Sequence, residues 1–250
     1  MIGETNREER QASGSGRSEA MSIVYRSAEA PHPVLAADEV RRLPAETAER
    51  LKASGLLRPG ELARAVGCEA CEHDHAEWVE ESTGPDGGRH FHIQCLEKGR
   101  VEVSRERLQR WLVDFAPLAE ALHDGLGACG PVEALRPGRL WRLGRAVLGG
   151  ERRELWMARD AASVRGPDII ASIPRTSGAV LFRLGDRPLG ADEAAGFDAV
   201  FDVRALVSLA EAGLAVDRGA VERRLARRRR CAPRRESRIW ECLTLAGCGA

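Results

Sequence analysis

The chain is short of lysine and of aromatic rings. Only Lys52 and Lys98 are lysines among 38 basic residues, and aromatics make up 4% of the 250 residues, with a single tyrosine. Neither lysine stands in an Asp/Glu-x-Lys context or in Gly-Lys-Ser/Thr, which excludes a common restriction-nuclease centre and a P-loop. Gly-x-Ser-x-Gly and His-Glu-x-x-His are absent as well, so the usual serine-hydrolase and zinc-protease signatures are excluded. No stretch approaches the roughly 18 apolar residues of a membrane span, and no N-terminal apolar run has signal-peptide length. With so few rings, a core must rely on Leu, Val and Ala, each buried Leu or Val stabilising by about 1.5–3 kcal/mol. A small sub-domain built this way gains much from an extra staple.

Seven cysteines, an odd number with two of them in a Cys-x-x-Cys pair, favour reduced thiols and metal over disulfides. A cytoplasmic location is the expectation. Formal net charge is zero, so no global field draws the chain to nucleic acid or membrane. Locally the charge is polarised. Residues 67–100 carry eight Asp/Glu against three Arg/Lys, a net of −5, whereas residues 221–241 carry nine Arg against three Glu, a net of +6.

The acidic stretch contains the motif with the clearest chemistry. Cys68-Glu-Ala-Cys71 is followed, after the reversal Ser82-Thr-Gly-Pro-Asp-Gly-Gly88, by His92-Ile-Gln-Cys95. Two residues between ligands let a tight turn aim both side chains at one ion, and two such turns joined by a hairpin complete the tetrahedron Zn²⁺ prefers. Strands are expected near 77–81 and 89–93. Cys68, Cys71, His92 and Cys95 are the expected ligands. His75, four residues past Cys71, and His90 are alternates, with His73 also nearby. The arrangement resembles a zinc ribbon in a Cys₃His version over about forty residues, a resemblance of structural class that implies a structural rather than catalytic ion. His75-Ala-Glu77 shares the His-x-Glu of zinc deaminases, but there the Cys pair follows that segment and here it precedes it. Three thiolates and a dication add about −1 to an already acidic module, which makes it a poor surface for phosphates and a fair one for a basic partner.

Elsewhere the patterns are structural. Residues 1–21 are polar and expected to be a disordered tail, with Met21 an alternative start. Ile23 to Tyr25 suggest a short strand within a mainly helical 22–66 segment. Helices are expected at 36–42 and 45–53, with Gly55 as a stop; two short helices in tandem invite a helix-turn-helix reading, though bundles contain such pairs too. The metal module spans 67–103, ending in a strand at 101–103 with Ser104 as N-cap. Leu108, Trp111, Leu112 and Phe115 then recur at helical spacing.

Segments 140–148 and 151–159 flank Gly149-Gly150, a hairpin signal that sets Leu143 opposite Trp156 and Arg145 opposite Glu154. The arginines and Trp141/Trp156 of this hairpin suit either a base-stacking platform or side chains folded over a small core. Asp160 caps a helix to about Ile173, 179–184 and 197–203 read as strands, 204–212 as a helix stopped by Gly213, and Asp217 as the cap of a last, Arg-rich helix. Gly125-Leu-Gly127-Ala-Cys-Gly130 matches a dinucleotide fingerprint literally, but it follows a helix and runs into Pro131, so it reads as a helix stop and loop.

The fold class is therefore α+β: N-terminal short helices, a small zinc-stapled β module, a mixed α+β domain over 104–220, and an Arg-rich C-terminal helix and tail over 221–250. Two functions fit. One is a nucleic-acid-associated regulatory protein with a structural zinc, touching DNA or RNA through Arg223, Arg224, Arg227, Arg228, Arg229 and Arg230. The other is an adaptor whose acidic zinc module docks a basic protein partner. Neither reading calls for a catalytic residue or a small-molecule cofactor, and neither involves a membrane.

Overall fold

The computed structural model describes residues 21–231 apart from 86, 160–165, 175, 177 and 187. The expected N-terminal tail, the Asp160 cap and the C-terminal tail lie outside the described residues. The fold is α+β, assembled from several small sheets.

Among the described residues the first element is helix α1 over 21–27, where a short strand was expected. Met21, Val24, Tyr25 and Ala28 are all buried, at i, i+3, i+4 and i+7. This apolar stripe docks into the main core and outweighs the strand preference of Ile23 and Val24. Strand β1 (Val34–Leu35), helices α2 (Ala37–Arg41) and α3 (Ala45–Ala53) and strand β2 (Leu57–Leu62) follow. Gly55 turns the chain between α3 and β2 at φ +76°, which a glycine adopts freely.

Strand β8 (Gln109–Val113) completes this unit by lying antiparallel between β1 and β2. It replaces the helix expected from the spacing of Leu108, Trp111, Leu112 and Phe115. Helical structure stops at α4 (Arg105–Leu108), capped by the Ser104 hydroxyl as expected, because pairing on both edges recruits the following residues. Leu112 accordingly turns outward at 41% exposure. Helix, strand, two helices and two strands thus form one unit, with the first strand paired to the last. Its β2–β8 pair is interrupted by the whole 65–103 module.

Helix α5 (Ala116–Leu126) ends at Gly127 in the left-handed conformation and leads to a five-stranded sheet. Its order is β13-β12-β11-β10-β9, formed by β9 (Glu133–Arg136), β10 (Leu140–Leu148), β11 (Glu151–Arg159), β12 (Ala179–Leu184) and β13 (Ala199–Asp202). β9, β10 and β11 meander antiparallel, whereas β11, β12 and β13 are parallel and joined through α6 (Gly166–Ala171) and α7 (Ala191–Ala194).

Alternate residues serve two cores, as a sheet covered on both faces requires. Leu155, Met157, Val180, Phe182 and Phe201 join α1, α3, α5 and the last helix. Trp156, Ala158, Ala179 and Leu181 meet Ile169, Ile170 and Ile173 on the other side.

The β10–β11 hairpin sets Arg145 opposite Glu154 as expected. Trp156, however, pairs with Arg142, because a bulge at Leu143 shifts the register. The bulge has a visible cause. The backbone of Cys129 exchanges two hydrogen bonds with Arg145, at 2.8 and 3.0 Å. A Cβ on the intervening Gly144 would sit 2.3 Å from the Cys129 carbonyl oxygen. The glycine-rich run at 125–130 is thus a helix stop whose end pairs with the sheet. Trp141 and Trp156 are 2% exposed, so this hairpin offers no stacking platform.

Residues 204–212 are not a helix. A single 3₁₀ turn (Val203–Ala205) leads to a hairpin, β14 (Val207–Ala210) and β15 (Gly213–Val216), in which Val207 and Leu209 alternate inward. Gly213, at φ +118°, leaves the turn rather than stopping a helix. Helix α8 (Arg218–Cys231) is capped by Asp217, whose carboxylate accepts from the Ala220 N–H at 2.8 Å. No helix among the described residues is long and apolar enough to cross a membrane.

Candidate metal centre

The module inserted between β2 and β8 comprises β3 (Ala65–Gly67), β4 (Ala76–Trp78), β5 (Glu80–Thr83), β6 (Arg89–Cys95) and β7 (Gly99–Val103). β3 pairs with β4, and β5-β6-β7 form a three-stranded sheet. Its own core consists of Phe91, Ile93 and Val103 with Leu108.

Ligand-type atoms of Cys68, Cys71, His75 and Cys95 lie within 4.8 Å of one another. The Cys68 and Cys71 Sγ atoms are 3.8 Å apart, and His75 Nε2 stands 3.1 Å from Cys71 Sγ and 3.7 Å from Cys95 Sγ. A tetrahedral ion with bonds of about 2.3 Å to sulfur and about 2.0 Å to nitrogen has S–S edges near 3.8 Å and S–N edges near 3.6 Å. The cluster therefore has the dimensions of a Cys₃His metal site. The same 3.8 Å separation is far beyond the roughly 2.05 Å of a disulfide.

Three of the four expected ligands are here, and the fourth is corrected from His92 to the alternate His75. Strand parity is the reason. His92 and Cys95 both belong to β6 rather than to a turn, and residues three apart on a strand face opposite sides. Phe91, Ile93 and Cys95 point to the core and the thiol cluster. His92 points the other way, with Nε2 2.9 Å from Glu80 Oε2 and Nδ1 3.1 Å from an Arg100 nitrogen. His90 shares that side, 3.5 Å from Glu102. His73 is exposed and pairs with Glu97 at 2.9 Å. The signal for His75 lies in the first knuckle, where Cys-x-x-Cys continues into x-x-x-His-x-Glu.

The surroundings orient the ligands. The Cys68 N–H donates to the His75 carbonyl at 2.8 Å, closing the loop between β3 and β4. His75 Nδ1 lies 3.0 Å from Glu77 Oε1, an outer carboxylate that presents Nε2 to the thiols. Hydrogen bonding to Cys95 and then to Glu77 raises the His75 pKa above its ordinary value. Burial pushes the Cys71 thiol up to about 11. Cys95 is brought down to about 6, chiefly by the backbone N–H of Lys98, which prevails over the opposing effect of burial with help from Glu97 and His75. One sulfur is thus prepared as a thiolate, and a cation is what makes three thiolates compatible.

Glu69, inside the Cys68–Cys71 knuckle, reaches out of the module. Arg107 of α4 lies 3.1 Å from its carboxylate and also donates to the Gly67 carbonyl, and Arg41 of α2 is 4.0 Å away. These contacts tie the knuckle to α2 and α4.

The arginines of α8 are only partly free. Arg223 is 3.5 Å from Asp217, the Arg224 guanidinium lies over the Phe201 ring at 5.2 Å, and Arg228 donates to the Asp198 carbonyl. Arg227 is exposed, while the side chains of Arg229 and Arg230 lie outside the described residues.

Comparison with protein-family models, with curated proteins and with solved structures finds no match to this chain.

Proposed function

We propose that the Cys68, Cys71, His75 and Cys95 site holds Zn²⁺ as a structural ion, and that the chain is an interaction adaptor presenting the stapled module to a basic partner protein. Three thiolates and an imidazole suit a borderline-soft, tetrahedral ion, and four protein ligands leave no open position for substrate or water.

The observation that carries the adaptor reading is the charge of the inserted module, −5 over residues 67–100. The neighbouring α3 does not offset it, since Glu46 and Glu49 are exposed and Arg50 and Lys52 are already committed to them. Phosphates are repelled by such a surface, and a cationic segment is attracted.

Elemental analysis of the reduced protein tests the metal. One zinc per chain is expected, lost in Cys68→Ser and His75→Ala and retained in His92→Ala. Zinc retained in His75→Ala but lost in His92→Ala would sink the assignment.

A second reading, nucleic-acid association, is favoured by one feature of α8. Arg223, Arg224, Arg227 and Arg228 are all exposed and follow i, i+1, i+4, i+5, while Val221 and Leu225 face the core. A steep fall of DNA or RNA affinity with salt, relieved by Arg227→Ala with Arg228→Ala, is its signature. A mobility shift indifferent to that pair removes it.

A further inference from the structure

Most of the large rings lie inside this fold, and Trp78 stands out. It is 71% exposed, against 2% for Trp141 and Trp156. Strand alternation explains its position. On the segment leading through β4, His75 and Glu77 turn toward the metal cluster, and Ala76 and Trp78 turn outward. They are joined there by Gly67 and Ala65 of β3, which pair with Ala76 and Trp78 respectively and are exposed too. The outer face of this two-stranded ribbon is therefore apolar, built of small residues and exposed, with one indole at its end.

The loop at the other end carries Glu72 and Asp74. Both are exposed, and neither has an ion pair among the described residues. Among the described residues the module's other acids, Glu69, Glu77, Glu80, Glu81, Glu97 and Glu102, each meet an Arg or His. An indole with two unspent carboxylates along one ribbon is complementary to cations. The face of Trp attracts Arg and Lys more strongly than Tyr or Phe does.

We infer that the outer face of the β3–β4 ribbon binds an extended cationic segment of a partner protein, with one Arg or Lys lying on Trp78 and a second meeting Glu72 and Asp74. This rests on the adaptor reading and adds the surface and the spacing. Asp74 and Trp78 are four residues apart, about 13 Å along extended chain, so the two cations of the segment stand about four residues apart.

The test uses the metal-loaded full chain and fluorescence anisotropy of labelled Ser/Gly peptides of about nine residues. One carries two arginines four apart, a second carries them adjacent, and a third has glutamates in their place. The four-apart peptide should bind best and the glutamate peptide not at all. Trp78→Ala should weaken binding about 3- to 30-fold, the range between exposed and desolvated cation–π contacts. Asp74→Asn should flatten the salt dependence, and Leu135→Ala on β9 should change nothing. Unchanged zinc content in each variant shows that the module remains folded.

Wild-type affinity in Trp78→Ala overturns the proposal, as does equal binding of the glutamate peptide. A dimer of the free chain that Trp78→Ala abolishes overturns it as well, since the face would then belong to a second copy. If the arginine peptide binds independently of Trp78 but is lost on Glu80→Gln with Glu81→Gln, the ribbon is the wrong surface and the adaptor reading survives. If no arginine peptide binds at low salt, both fall.

Discussion

The five-stranded sheet and the metal module hold together by different means. The sheet buries residues on both faces, and Leu181, Phe182, Leu155 and Met157 are wholly inaccessible. The module has Phe91, Ile93 and Val103 with Leu108, and its remaining strands are mostly exposed. Apolar burial, at about 25 cal/mol per Å², is therefore concentrated in the first and sparse in the second. What the module lacks in core, coordination can supply, since structural zinc contributes on the order of 10–16 kcal/mol coupled to folding in isolated zinc fingers.

Metal withdrawal breaks this comparison most sharply. A strong chelator should abolish amide-exchange protection throughout 67–103 while leaving β10, β11 and β12 protected; simultaneous loss in both regions would show that they form a single cooperative unit. Phe182→Ala should do the converse. Phe182 stacks on Phe201 with ring centroids 5.6 Å apart, and its truncation should cost about 3–5 kcal/mol in denaturant melts with zinc content unchanged. Gly144→Ala comes next, since it combines a φ of +87° with the Cys129 carbonyl in the way. A loss of about 2–4 kcal/mol is expected, and a neutral result would mean that the Cys129–Arg145 bridge opens freely.

Within the module, Glu77→Gln should leave the fold intact and lower metal affinity about 10- to 100-fold in chelator competition, because it weakens the support behind the His75 ring. The smallest effect belongs to Glu81. Arg89 holds its pKa below the ordinary carboxylate value, so whatever stability the pair gives is present above the unfolded-state pKa and fades as pH falls through the folded one. Both partners are about half exposed, and a thermal melt of Glu81→Gln at neutral pH should be indistinguishable from wild type.

The parts of the structure legible in the sequence were those governed by local rules. Gly149-Gly150 located the hairpin, the apolar run at 179–182 located a buried strand, and Ser104 and Asp217 capped the helices that follow them. Nonlocal pairing defeated the same kind of reasoning. Leu108, Trp111, Leu112 and Phe115 have helical spacing, yet β1 and β2 claim the residues between them. The metal centre failed at one ligand for a related reason. His92-x-x-Cys95 has turn spacing only if it lies in a turn, and inside β6 the same spacing points the two side chains apart.

The insertion of the module also affects how the chain folds. Leu62 and Gln109 are ladder partners in the β2–β8 pair, with residues 63–108 between them. Bringing them together in an unstructured chain costs the entropy of closing that entire loop. Once a metal ion has gathered the module, β2 and β8 enter and leave one compact body. The remaining search is then shorter, and the β1-β8-β2 sheet should assemble faster with zinc present than without it.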